Sequence, residues 1–106
     1  MSEINWSDTE KKAAHEAFKK AYEREINSLI EEVKQEIIEI NEISQLWLLH
    51  DFLSARRHQI DGKYDDSCSS LIFVLAQLLK EEWLSMEELQ ALDRDKLTKI
   101  SALARM

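Results

Sequence analysis

Residues Leu46 to Asp66 read LWLLHDFLSARRHQIDGKYDD, and this stretch sets how the rest of the chain is understood. On a helix, with about 100° between residues, it has two faces. Leu46, Leu49, Leu53 and Ile60 keep the spacing of a buried apolar stripe. Trp47, His50, Asp51, Ser54, Arg57 and His58 form a second row that is polar, aromatic and mixed in charge. Folding does not demand that second row, so it is the candidate working surface. Gly62, the chain's single glycine, is the expected left-handed C-cap of this helix.

Outward from this stretch, composition fixes the fold class. In 106 residues there is one glycine and no proline. Sheets need tight turns and turns draw on both residues, so the chain reads as all-α and as one domain. A monomer of this length buries only about two-thirds of its unfolded surface. The net charge of −7 argues against binding nucleic acid or an anionic membrane surface. The charge is uneven: residues 44–63 and 93–106 are weakly positive, and the segments flanking 44–63 carry the acidity. The two positive segments suit an acidic protein partner. Cys68 is the lone cysteine, which predicts a reducing compartment. The opening MSEINWSDTE lacks the features of a secretory signal, and the longest apolar run, Leu71 to Ala76, is far short of a membrane span. A cytoplasmic protein without an integral membrane segment is expected.

Ser7 and Glu10 fit a capping box, placing a helix start near Asp8. From there Ala14, Phe18, Tyr22, Ile26, Ile30, Val33, Ile37 and Ile40 recur at spacings of four and three, with no breaker before Asn41. This predicts one rod roughly 50 Å long, provided no bend occurs at Asn27-Ser28. From Ile26 onward the pattern matches a coiled-coil seam. Ile26, Ile30, Val33 and Ile37 are therefore the expected homodimer interface, because so long a stripe exceeds what a small domain can cover. Ser44 is the expected N-cap of the second helix, and Asp65 or Asp66 that of a third through SLIFVLAQLLKEEW. That segment's composition would suit a strand, but Leu75, Leu78 and Leu79 continue at helical spacing, so it reads as the centre of a helical head. Ser85 and Glu88 form a second capping box for a short helix to about Leu92. A last helix from about Asp95 to Ala104 should turn Leu97, Ile100 and Leu103 inward and Lys96, Lys99 and Arg105 outward. In outline, residues 7–61 make an elongated arm with the dimer interface, and 62–106 make the head.

The residues argue against bond chemistry. His50 and His58 are just over two turns apart, too far to share a metal from one helix. One glycine excludes a glycine-rich phosphate loop. Cys68 and His58 lie on either side of a turn, and a plain buried or half-buried thiol is the simpler reading. A metal-dependent hydrolase using His50 and Asp51 is thus the weaker of two alternatives; the other is a passive dimeric scaffold or adaptor. Trp47 could be core filler, and Asp51 with Arg57 a surface ion pair worth about 0–1 kcal/mol. Tryptophan and arginine are nonetheless the residues most enriched at binding hot spots, and here they share a helical face with a histidine.

The motif W-x-L-H-D-F-L-S-A-x-R-H-x-I-D-G-K-Y-D-D over Trp47 to Asp66 closely resembles the cyanobacterial fluorescence recovery protein family. The resemblance extends to Trp6, to F-x-K-A-Y at Phe18 to Tyr22, to I-F-V-x-A-Q-L-L-K-E at Ile72 to Glu81, and to K-I-x-A-L-A-R at Lys99 to Arg105. Arg56-Arg57 stands where lysine then arginine is expected, a departure that keeps the charge. The resemblance implies a dimeric, cofactor-free, all-helical regulator, with higher assemblies left open. It would bind the orange carotenoid protein, chiefly the C-terminal domain, and speed its return from the red to the orange form. It would also help detach that protein from the phycobilisome near the cytoplasmic face of the thylakoid, ending quenching and restoring fluorescence. By resemblance, Trp47, His50, Asp51 and Arg57 match the functional patch near the dimer interface, where Trp47 also belongs. Phe73 and Lys99 match head positions implicated in partner contact.

Overall fold

The computed structural model describes residues 5–106; Met1–Ile4, part of the opening read as lacking a signal, lie outside the described residues. The chain is all-helical, with no strand among the described residues. Helix α1 spans Asp8–Glu39, α2 Ile43–Lys63, α3 Leu71–Lys80 and α4 Arg94–Ala104, with a 3-10 turn at Met86–Leu89. The overall extents are 55 × 27 × 25 Å, set by the length of α1.

Helix α1 begins where Ser7 and Glu10 complete the capping box, each side chain accepting from the other residue's backbone N–H at 3.1 Å. It passes Asn27-Ser28 without interruption. Its buried residues are Glu10, Ala14, Ala17, Phe18, Ala21 and Glu25. Mixed steps of three and four, with Ala17 and Phe18 adjacent, keep them on one face. The stripe expected from sequence advances by four through Ala14, Phe18, Tyr22, Ile26 and Ile30. Each such step adds about 40°, so by Ile30 the stripe has moved to nearly the opposite side of the helix. Tyr22 and Ile30 are accordingly exposed, and Ile26 and Val33 are half-buried. The first half of α1, assigned from sequence to the arm, contributes Ala14, Ala17, Phe18 and Ala21 to the head's core.

The core joins those residues and Trp6 to Leu71, Ile72, Val74, Leu75, Ala76 and Leu78 of α3, and to Leu84, Leu89, Leu92 and Ile100. Helix α3 is its centre, as its composition suggests, although Phe73 and Gln77 face out. Leu97 and Leu103 pack against this core from α4. Arg24 clamps α1 to the 3-10 turn through a bidentate pair with Glu88, both contacts at 2.8 Å. The Arg24 guanidinium holds the Glu88 carboxyl down at about 2.

Six local expectations need correction, the first being Cys68, whose thiol is exposed rather than buried or half-buried. Lys96 is buried, not outward: its Nζ donates to Glu10 at 3.1 Å and to Asp93 at 2.9 Å, and lies over the Trp6 ring. The two carboxylates make that burial tolerable. Helix α2 begins before Ser44, because the Gln45 side chain reaches back to accept from the N–H groups of Asn41 and Glu42. It runs through Gly62, which has no positive φ, to Lys63. Asp65 does not cap α3 directly; it accepts from the Ser67 N–H and Ser70 Oγ, bracing a turn before Leu71. The Ser85–Glu88 segment is one 3-10 turn rather than a helix to Leu92.

Among the described residues, the left-handed residue is Glu82 at φ 66°, just past α3. Trp83 N–H donates to the Leu78 carbonyl and Glu82 N–H to that of Leu79, the pattern of a Schellman stop. A glycine would serve that position without strain.

Candidate functional site

Helix α2 is the least buried element of the fold. Among its residues, Ile60 alone is buried within the single chain. The stripe of Leu46, Leu49 and Leu53, expected to be covered, is open at Leu46 and half-buried at the other two. Between the end of α1 and the start of α2 runs a groove of about 360 Å³. Ile40, Leu48, Leu49 and Phe52 give it an apolar floor, and Glu32, Glu36 and Glu39 an acidic rim. Ile37 and Ile38 near the end of α1, and Ile43 at the start of α2, add further exposed apolar surface.

The row read from sequence as the working surface is displayed to solvent. Trp47 is 58% exposed and therefore not core filler in the single chain. Its ring meets His50 edge to face at 6.4 Å between centroids. His50 Nδ1 lies 3.4 Å from Asp51 Oδ1. Arg57 pairs with Asp61 one turn on, Nε to Oδ2 3.6 Å, and not with Asp51. The helix therefore brings Trp47, His50 and Asp51 into one contact set, with Arg57 farther along and held by a weak exposed pair. Such a set offers an aromatic face, a carboxylate and an exposed guanidinium, the means of gripping another protein. Among the described residues no cluster of His, Cys, Asp or Glu could hold a metal ion.

Phe73 and Lys99 stand on the head. Phe73 is 63% exposed on α3 and lines a shallow depression with Ala76, Gln77, Lys80, Leu103 and Met106. Lys99 is exposed on α4, the helix packed against α3. Both are carried by elements other than α2, and Lys99 does not line the Phe73 depression.

Sequence reasoning missed the junction holding α2 to the head. Glu25, with its side chain 1% exposed, accepts from Tyr64 Oη at 2.8 Å, Lys63 Nζ at 2.7 Å and Arg56 Nη2 at 3.3 Å. Lys63 also bonds Glu81 at 2.7 Å. Burial pushes the Tyr64 hydroxyl well above its ordinary value, and the Glu25 carboxylate pushes it further. Burial alone would raise Glu81, but bonds from Lys63 and Gln77 hold it below the usual carboxylate range. A signal existed: Glu25 continues the Ala14–Ala21 spacing where an apolar residue would be expected. Its three donors lie more than thirty residues away, so nothing local names them.

A family described as "Photoprotection regulator fluorescence recovery protein" matches residues 6–104. The fluorescence recovery protein of Synechocystis sp. PCC 6803 is 53% identical over 105 residues, spanning 99% of this chain and 96% of that protein. The solved fluorescence recovery protein of Fremyella diplosiphon shares 56% identity at a TM-score of 0.91, covering 96% of this chain and all of the other. The Synechocystis structure gives 54% identity and a TM-score of 0.92 with the same coverage. The chain belongs to the fluorescence recovery protein family of photoprotection regulators.

Proposed function

We propose that this chain, as a homodimer, binds the C-terminal domain of photoactivated orange carotenoid protein, accelerates its red-to-orange reversion and promotes its release from the phycobilisome. Antenna quenching then ends and fluorescence returns. The observation carrying this reading is the exposed Trp47–His50–Asp51 set, with Arg57 on the same helix, in a chain of this family. The apolar surface left open on the arm, including Ile30, Ile37, Leu46 and Trp47, supports pairing of two arms. Ile26 and Val33 complete the proposed seam. On this reading residues 26–61 act as the pairing arm and the α3–α4 unit as a head that carries Phe73 and Lys99 to the partner.

The mechanism requires no bond to be made or broken. A protein speeds a conformational change by binding its transition state, or a compact species on the path, more tightly than the open reactant. Each 1.4 kcal/mol, roughly, of that preference gives a tenfold gain in rate. One surface holds the carotenoid protein's C-terminal domain while the frame of helices shortens the search of its two domains for each other. Among the described residues no helix is long and apolar enough to cross a membrane, which suits work at the cytoplasmic face beside the antenna. Dark relaxation of the red form, followed by absorbance with and without this chain, tests the reading; a partner bound but not accelerated would indicate a passive adaptor.

A further inference from the structure

We propose that Glu25 is a positioning residue that sets the rotational phase of α2, and so decides that Arg57 rather than Arg56 faces the partner. The inference rests on the functional reading above. Within the single chain the inward row of α2 runs through Leu49, Leu53, Arg56, Ile60 and Lys63, at spacings of four and three, with Ile60 its buried member. Ile60 supplies its buried apolar contact, and both cations of that row end on the same Glu25 oxygen. Apolar contacts are non-directional and fix rotation poorly. A buried carboxylate met by directional donors fixes it well.

Adjacent arginines make the phase ambiguous. Turning α2 by one residue, about 100°, would bring Arg57 toward Glu25 in place of Arg56. Lys63 resolves the ambiguity, because it lies two turns from Arg56 on the same face, whereas the residue two turns from Arg57 is Tyr64. The observed phase lets Arg56, Lys63 and Tyr64 all reach the carboxylate, and Lys63 continues to Glu81 at the end of α3. The same junction therefore fixes α2 against the head, and with it the relation of the Arg57 surface to the Phe73 surface.

The test places nitroxide labels at Lys19→Cys on α1 and Ala55→Cys on α2, in a Cys68→Ser background, with labelled chains diluted by unlabelled ones so that the distance within one protomer is read. The parent should give one narrow distance. Glu25→Ala should lose it, giving a broadened or split distribution, and should lower the saturating recovery rate about tenfold. Glu25→Gln keeps the side-chain shape and the Tyr64 bond, so it folds even if the alanine variant does not, and should show the same loss. Arg24→Ala, which weakens the head clamp without touching this junction, should lower thermal stability yet keep both the narrow distance and the rate. An unchanged narrow distance in the Glu25 variants, or a broadened one with full rate, overturns the proposal. If the parent itself fails to accelerate recovery, the functional reading falls while the distance measurement still decides the role of Glu25.

Discussion

Arg56 and Arg57 are neighbours in the chain but have opposite environments. Arg56 Nη2 lies 3.3 Å from the buried Glu25 carboxylate, whereas the exposed Arg57 Nε lies 3.6 Å from Asp61 in solvent. One arginine is bound into the fold and the other is exposed.

Arg57→Leu should therefore keep the fold and lose most of the rate enhancement. Its exposed pair with Asp61 is worth about 0–1 kcal/mol, so thermal unfolding should barely move. Recovery kinetics beside a melting curve check both halves; unchanged kinetics would remove Arg57 from the site.

Ile30→Glu should yield monomers. Ile30 is 46% exposed in the single chain, and a carboxylate there would face solvent in a monomer but a desolvated seam in the proposed dimer. Size exclusion with light scattering reads the outcome, and an intact dimer would refute the seam.

Lys96→Met should be costly for a residue that reads as surface. Removing the cation leaves Glu10 in a buried site without its charge partner, a loss of about 3 kcal/mol. The melting temperature should fall by about 10 °C or more at fixed protein concentration.

Acid should weaken the Arg24–Glu88 clamp in a defined window. The folded Glu88 carboxyl titrates at about 2 against an ordinary 4.5, so the unfolded chain takes up the proton first. The stabilisation is full above about 4.5 and is lost as pH falls toward about 2. The stability gap between the parent and Glu88→Gln should close across that window, and a gap that persisted at its acid end would contradict the assignment.

Gly62→Ala should stabilise by about 0.5–1 kcal/mol, because Gly62 is helical and nothing lies within 4 Å of an added Cβ. Urea unfolding would show a raised midpoint; a lowered one would restore the left-handed cap expected from sequence.

The start of α1, the α3 core and the Trp47 face were legible because each is written locally, in a capping box, a helical period and a polar row. Glu25, Lys96 and the inward turn of Arg56 were not. A charged residue in a helix looks like solvated surface until its partner arrives from elsewhere in the chain, and these partners are 31 to 86 residues away. The expected α1 stripe failed for a geometric reason: repeated steps of four drift around the helix, so its two ends serve different surfaces. Leu46 reads as core yet is exposed in the single chain, as a residue whose cover is a second chain would be.

Dark relaxation of photoconverted orange carotenoid protein mixed with this chain is the most direct test of the proposed activity. Recovery of the orange form should be accelerated in proportion to added dimer until the partner is saturated. Relaxation no faster than that of the carotenoid protein alone would contradict it.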